Sequence, residues 1–302
     1  LKTPGSVRGF SSLAGLLLLV SGFASAGPIV DDLGRLVRVG TRPARIVALS
    51  PHLVEVVFAL GAGDRLVGVS DHSNHPPEAA RLPVVGTLAG DPERILAVRP
   101  DLVLATTEGN DRSVVSRLES IGVPVFVAVP SNLDAAVASI GRIGEAIGAG
   151  PEGRRLVATM QQRIDRVARL PRPAHPPRVA WLVWPDPPVV AGRGSFLDDL
   201  VRRAGGWNAF GETSSAWPTV GREQLVAARL DIVLCPESKD TSDAFRRSRE
   251  GTLGRLLGRS VSWRSLDGDR AQRPGPRVVD LLEELARIFR EPPGGVSAGA
   301  RP

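Results

Sequence analysis

Two stretches of this chain repeat each other without a gap: Glu93-Arg94-Ile95-Leu96-Ala97-Val98-Arg99-Pro100-Asp101-Leu102-Val103-Leu104 and Glu223-Gln224-Leu225-Val226-Ala227-Ala228-Arg229-Leu230-Asp231-Ile232-Val233-Leu234. Each opens on a glutamate and reaches, eight residues later, an aspartate that begins an apolar, strand-like run. Two copies this far apart are not a solenoid, whose units recur every ~20–50 residues. They imply duplicated halves with equivalent surfaces. A length of 302 residues agrees with two domains at roughly 150 residues each.

The rhythm around the repeats is α/β. Ile46 to Leu49, Leu66 to Val69, Leu102 to Ala105 and Val125 to Val129 read as buried strands, each followed by a helix-compatible segment. Glu152 to Leu170 is uninterrupted, with Leu156, Val157, Met160, Ile164, Val167 and Leu170 recurring at three and four, and Pro171, Pro173, Pro176 and Pro177 end it. As a helix it would reach about 28 Å, enough to cross between lobes. Strands then resume at Val179 to Val183 and Ile232 to Leu234, with helices at Phe196 to Ala204 and Arg277 to Arg290. The expected fold is two Rossmann-like α/β lobes, 27–150 and 172–291, joined by a helix over 151–171, with a disordered tail over 292–302.

Lys2 and Arg8, the apolar run Leu13 to Val20 and then Ala24-Ser25-Ala26 ahead of Gly27 have the layout of a secretory signal peptide cut after Ala26. The apolar run is too short to span a bilayer. The product is expected to be soluble and exported, which in a double-membrane bacterium means the periplasm. Removing Lys2 and Arg8 takes the formal charge from +6 to +4. That modest excess is nearly all arginine and reads as a solvated face, not a nucleic-acid surface. One cysteine, Cys235, excludes an internal disulfide and any multi-cysteine metal centre, and its run Ile232-Val233-Leu234-Cys235 makes it a buried strand residue.

Several further motifs occur in order: Arg45-Ile46-Val47-Ala48-Leu49-Ser50-Pro51-His52, Gly68-Val69-Ser70-Asp71-His72-Ser73-Asn74-His75-Pro76-Pro77, Arg99-Pro100-Asp101-Leu102-Val103, Ala216-Trp217-Pro218-Thr219-Val220-Gly221-Arg222-Glu223 and Arg273-Pro274-Gly275-Pro276-Arg277-Val278-Val279. Together, over about residues 44 to 290, they resemble the periplasmic binding proteins of ABC importers for cobalamin, haem and iron siderophores, nearest the cobalamin branch. The resemblance implies a ligand cleft between lobes that close only slightly, and a dimeric transmembrane permease whose arginines receive Glu93 and Glu223. It places Trp217, Asp269 and Arg273 in the cleft, with His52, His72, Thr106 and Trp184 at or near contact positions. His72 stands where cobalamin binders often carry a tyrosine, and first-lobe aromatic positions fall on Thr87 or Leu88 and on Thr106.

A corrinoid is a large amphipathic disc with amide arms, suited to aromatic walls and a few placed polar groups. Trp217 and Trp184 could supply walls, while Asp269 and Arg273 supply an acceptor and a fork of donors. Trp181, Trp207 and Trp263 are assigned to packing. Locally, Glu93 and Glu223 also suit the first turn of a helix. His72 and His75 flank Asn74 beside Asp71, but two histidines without a third firm ligand fall short of a zinc site. The reading is therefore a solute-binding protein for a cobalamin-like corrinoid, carried as cargo and not as a cofactor. Haem or a ferric siderophore is the alternative, and a metal-dependent enzyme using His72, His75 and Asp71 is the rival from another class. No nucleophile elbow, Walker loop or dinucleotide fingerprint accompanies the strands.

Overall fold

A computed structural model describes residues 28–238, 241–258 and 260–291. The expected leader and tail lie outside these residues. A short hairpin of β1 (Ile29–Val30) and β2 (Leu36–Val37) comes first. Asp31 Oδ1 accepts from the Arg35 amide at 2.9 Å, and Asp32 Oδ2 accepts from the Val129 amide at 2.9 Å, tying the hairpin to the first lobe.

The first lobe then runs β3 (Ile46–Ala48), α1 (Pro51–Ala59), β4 (Leu66–Val69), α2 (Pro92–Ala97), β5 (Leu102–Thr106), α3 (Arg112–Ser120), β6 (Val125–Ala128) and α4 (Leu133–Ala146). Its four strands pair in parallel in the order β4-β3-β5-β6. Helices cover both faces of a parallel sheet, so the strands read as continuous apolar runs, and every residue of β3, β5 and β6 is buried.

After α5 (Gly150–Ala168), the second lobe has β7 (Arg178–Pro185), β8 (Pro188–Val190), α6 (Phe196–Ala204), β9 (Trp207–Asn208), α7 (Arg222–Ala227), β10 (Ile232–Glu237), α8 (Ser242–Glu250), α9 (Thr252–Leu257), β11 (Ser262–Asp267), α10 (Gly268–Ala271) and α11 (Val278–Ile288). The parallel pairings β9 with β7, β7 with β10 and β10 with β11 repeat the first lobe's order, and β8 adds an antiparallel edge to β7.

The sequence echo is the same structural unit built twice. In the first copy the Arg45 amide donates to Asp101 Oδ1 at 2.9 Å, and the Asp101 amide returns a bond to Arg45 O at 2.9 Å. In the second the Arg178 amide donates to Asp231 Oδ2 at 2.7 Å, and the Asp231 amide returns a bond to Arg178 O at 2.9 Å. The guanidinium of each arginine caps a carbonyl at the end of the helix that precedes the aspartate, Val98 after α2 and Ala228 after α7. Both turns pass through the left-handed region at an arginine, Arg99 (φ 46°) and Arg229 (φ 48°).

The long helix α5 starts and ends two residues before the expected segment, so Leu170 falls past its end and is exposed. Met160, Ile164 and Val167 are buried, with Leu156 and Val157 packed against the same cluster. The helix lies close on α4 because Gly144 and Gly153 face each other: a Cβ added to either would come within 3.1–3.3 Å of the other's Cα. One apolar cluster continues across both lobes, from Leu104 and Phe126 through α4 and α5 to Trp181, Leu200 and Leu285. Polar ties reinforce it: Arg163 reaches Glu283 at 2.6 Å and Asp280 at 2.7 Å, and Arg203 reaches Asp134 at 2.6 Å. Glu283 and Asp280 raise the pKa of the Arg163 guanidinium further above its ordinary value.

Trp181 is buried and Trp263 packs against the second-lobe core, whereas Trp207 is exposed, because β9 is a two-residue strand at the sheet edge. Cys235 is buried in β10, where desolvation pushes its thiol pKa well up.

Candidate functional site

A cavity of about 720 Å³ opens between the lobes. Its lining follows from the topology: Ser50 comes just after β3, His72 after β4, Glu108 after β5, Pro130 after β6, Ser238 after β10 and Gly268 after β11. These are the carboxyl ends of parallel strands, where open α/β sheets present their loops to ligands.

The two walls differ. Val183, Phe196, Leu197 and Trp217 give the second-lobe wall an apolar part, beside the polar Ser238, Thr241, Asp269, Gln272 and Arg273. Trp217 is 41% exposed, so the indole offers its surface instead of filling a core. The first-lobe wall carries Asp71, His72, Asn74 and Glu108 with Leu88. The His72 side chain is 74% exposed, and its backbone sits in the left-handed region at φ 57°. Burial raises the pKa of the Glu108 carboxyl above its ordinary value.

A buried clasp joins the walls. Arg273 Nη1 donates to Asn74 Oδ1 at 2.8 Å and to Glu55 Oε1 at 3.1 Å, and Nη2 donates to His72 O at 2.9 Å and meets Asp269 Oδ1 at 2.9 Å. Arg277 forks onto the same Glu55, Nε to Oε2 at 2.9 Å and Nη2 to Oε1 at 2.7 Å. Asn74 Nδ2 donates to Asp269 Oδ2 at 2.7 Å. Asp269 and Arg273 thus reach the cavity edge with much of their bonding capacity spent on the loop that carries His72.

His52 lies beside this clasp. Its Nδ1 shares a 2.8 Å hydrogen bond with Ser50 Oγ, while Nε2 is buried with no partner among the described residues. Desolvation, with a smaller contribution from Arg273, lowers its pKa to about 3, so the ring is neutral. Among the described residues no three of His, Cys, Asp and Glu gather as metal ligands. His72 Nε2 is 3.9 Å from Asp71 Oδ2, and His75 is not part of the cavity lining.

Of the residues expected at the cleft, His52, His72, Trp217, Asp269 and Arg273 are brought together. Trp184 and Thr106 are not. Side chains alternate along β7, so Val183 faces the cavity and Trp184 lines a separate recess with Arg222 and Arg247. The Trp184 indole donates to Asp186 O at 2.9 Å. Thr106 is buried at the end of β5, where its hydroxyl accepts from the Glu108 amide, and Glu108 takes the place on the wall. Glu93 and Glu223 are exposed in the first turns of α2 and α7, the corresponding helices of the two lobes.

Sequence reasoning missed Glu55, Asn74, Glu108 and Phe196. Only Glu55 left a signal, as the one acid within the apolar run Leu53 to Phe58.

Comparison with known proteins gives a consistent family. The family described as periplasmic binding protein matches residues 46–250. A vitamin B12-binding protein of Yersinia pestis is 29% identical over 262 residues, covering 84% of this chain and 89% of that relative. Among solved structures, the periplasmic haem-binding protein RhuT of Roseiflexus in apo form superposes with a TM-score of 0.71 at 28% identity, covering 81% of this chain and 97% of that one. The periplasmic vitamin B12-binding protein BtuF of Vibrio cholerae superposes with a TM-score of 0.67 at 24% identity, covering 83% and 99%; at that identity the likeness is one of fold.

Proposed function

Because this chain belongs to the periplasmic binding protein family, we propose that it captures a cobalamin-like corrinoid between its lobes and delivers it to an ABC importer. The observation that carries this reading is the amphipathic interlobe cavity, with an apolar patch of Trp217, Phe196, Leu197 and Val183 on the second lobe and polar groups contributed by both lobes. A flat macrocycle buries its apolar face against such a patch while its amide arms meet donors and acceptors around it. Curated relatives named vitamin B12-binding protein support the choice of cargo. Its role is that of an exported carrier working in the periplasm.

His52, His72, Trp217, Asp269 and Arg273 are the cargo residues on this reading. Arg273 and Asp269 act chiefly by holding the His72 loop in place. Glu93 and Glu223 dock the permease. A helix following a parallel strand runs back antiparallel to it, so the first turns of α2 and α7 sit on the cleft side of their lobes. Matched carboxylates there suit a two-fold partner that presents the same basic pocket twice.

Haem is a second reading, favoured by the haem-binding structural neighbour and by the exposed imidazole of His72. Absorbance titration with cyanocobalamin and haemin decides between them. The corrinoid reading expects saturable, one-to-one binding of cyanocobalamin. Haemin binding with a shifted Soret band and no corrinoid binding would overturn it.

A further inference from the structure

Among the described residues, the cavity wall carries negative charge that no cation balances. Six ionisable residues line it: His52, Asp71, His72, Glu108, Asp269 and Arg273. Arg273, the only permanent cation among the described residues of the lining, is taken up by Glu55 and Asp269, and Glu55 is shared with Arg277. That cluster of two guanidiniums and two carboxylates is neutral as a unit. His52 is buried and uncharged. Among the described residues, Asp71 has no cation nearer than the His72 ring at 3.9 Å, and the Glu108 side chain has no hydrogen-bond or ion-pair partner. Both carboxylates stand on the first-lobe wall, opposite the Trp217 side on which a macrocycle would lie. Like charges brought together in a partly desolvated cleft repel far more than in open water.

We propose that Glu108 and Asp71 form a charge filter that admits a macrocycle with uncharged amide arms and turns away one with carboxylate arms. The inference rests on the macrocycle reading above and deepens it by specifying the peripheral groups of the cargo. An amide arm can donate N–H to either carboxylate, whereas an ionised acid arm offers only acceptors and a second negative charge.

The test is isothermal titration of the full chain and of Glu108→Gln and Asp71→Asn/Glu108→Gln, using pairs that share one macrocycle. The corrinoid pair is dicyanocobinamide, with amide arms, and cobyrinic acid, with carboxylate arms. The porphyrin pair is haemin dimethyl ester and haemin. The wild type is expected to prefer the uncharged member by at least about tenfold, and the double variant to lose most of that preference. Circular dichroism checks that each variant folds. Raising salt on the wild type is an independent measurement, expected to narrow the ratio. A ratio that neither substitution nor salt changes overturns the filter. Which macrocycle binds reports separately on the cargo: a porphyrin pair that binds more tightly than both corrinoids overturns the corrinoid reading while its acid-to-ester ratio still decides the filter. Binding of none of the four overturns both.

Discussion

Arg273 Nη1 lies 3.1 Å from Glu55 Oε1 across the two lobes, and the side chains are 8% and 3% exposed. A charge pair this buried holds only while both members remain. Removing the anion leaves Arg277 without its carboxylate and Arg273 with Asp269 alone, at a cost of about 3–5 kcal/mol. Glu55→Ala is therefore expected to lower the unfolding free energy by that amount, read as a fall in the urea midpoint at unchanged m. The combined variant Glu55→Leu/Arg273→Met/Arg277→Met should recover part of the loss. Equal stability of Glu55→Ala and wild type would show that the clasp contributes nothing to holding the lobes together.

The neutral state of His52 gives the fold a pH dependence with a definite sign. Its folded pKa of about 3 lies below the unfolded value of 6.5. In that window the unfolded chain binds the proton and the folded chain does not. Stability is thus fully present above about pH 6.5 and falls by roughly 1.4 kcal/mol per unit on acidification. Denaturation curves at pH 7.5 and 5.5 should separate less in His52→Gln than in wild type; parallel losses would assign the slope to other groups.

Two of the three exposed tryptophans of the second lobe, Trp217 and Trp184, should separate cleanly. Trp217→Ala removes an aromatic wall of the interlobe cavity and is expected to weaken cargo binding by about 1–3 kcal/mol. Trp184→Ala, in the separate recess, should leave the dissociation constant alone. Calorimetry on both checks the assignment, and equal effects would contradict it.

Glu93→Ala/Glu223→Ala should bind cargo as wild type does, since neither side chain reaches the cavity, and should fail to support uptake through the cognate permease. Transport by the single variants is expected to fall between. Wild-type uptake by the double variant would leave the two glutamates as helix-terminal charges only.

Much of the architecture was legible because parallel strands covered on both faces leave unbroken apolar runs, as at Leu102 to Thr106, and because α5 keeps its period through Val167. β11 was not legible: Ser262-Trp263-Arg264-Ser265-Leu266-Asp267 is an edge strand with one buried residue, so no apolar pattern marks it. Trp184 was misplaced because strand side chains switch faces at every step, and the cavity takes Val183 instead. Glu108 lies beyond the strand end, where the turn and not the sheet sets direction. The clasp was hidden by distance along the chain: nothing local to Glu55 signals Arg273 or Arg277, which reach it only after two lobes have folded and met.

The apolar cluster that runs without a break from the first sheet through α4 and α5 into the second has a consequence for traffic at the membrane. Halves fused this way resist reorientation, so with the cargo role proposed above the loaded and empty molecules would keep nearly the same outline. A permease that recognises outline must then be visited by both, so a surplus of empty carriers would occupy its landing sites and slow uptake, and vacating them becomes a step of the cycle in its own right.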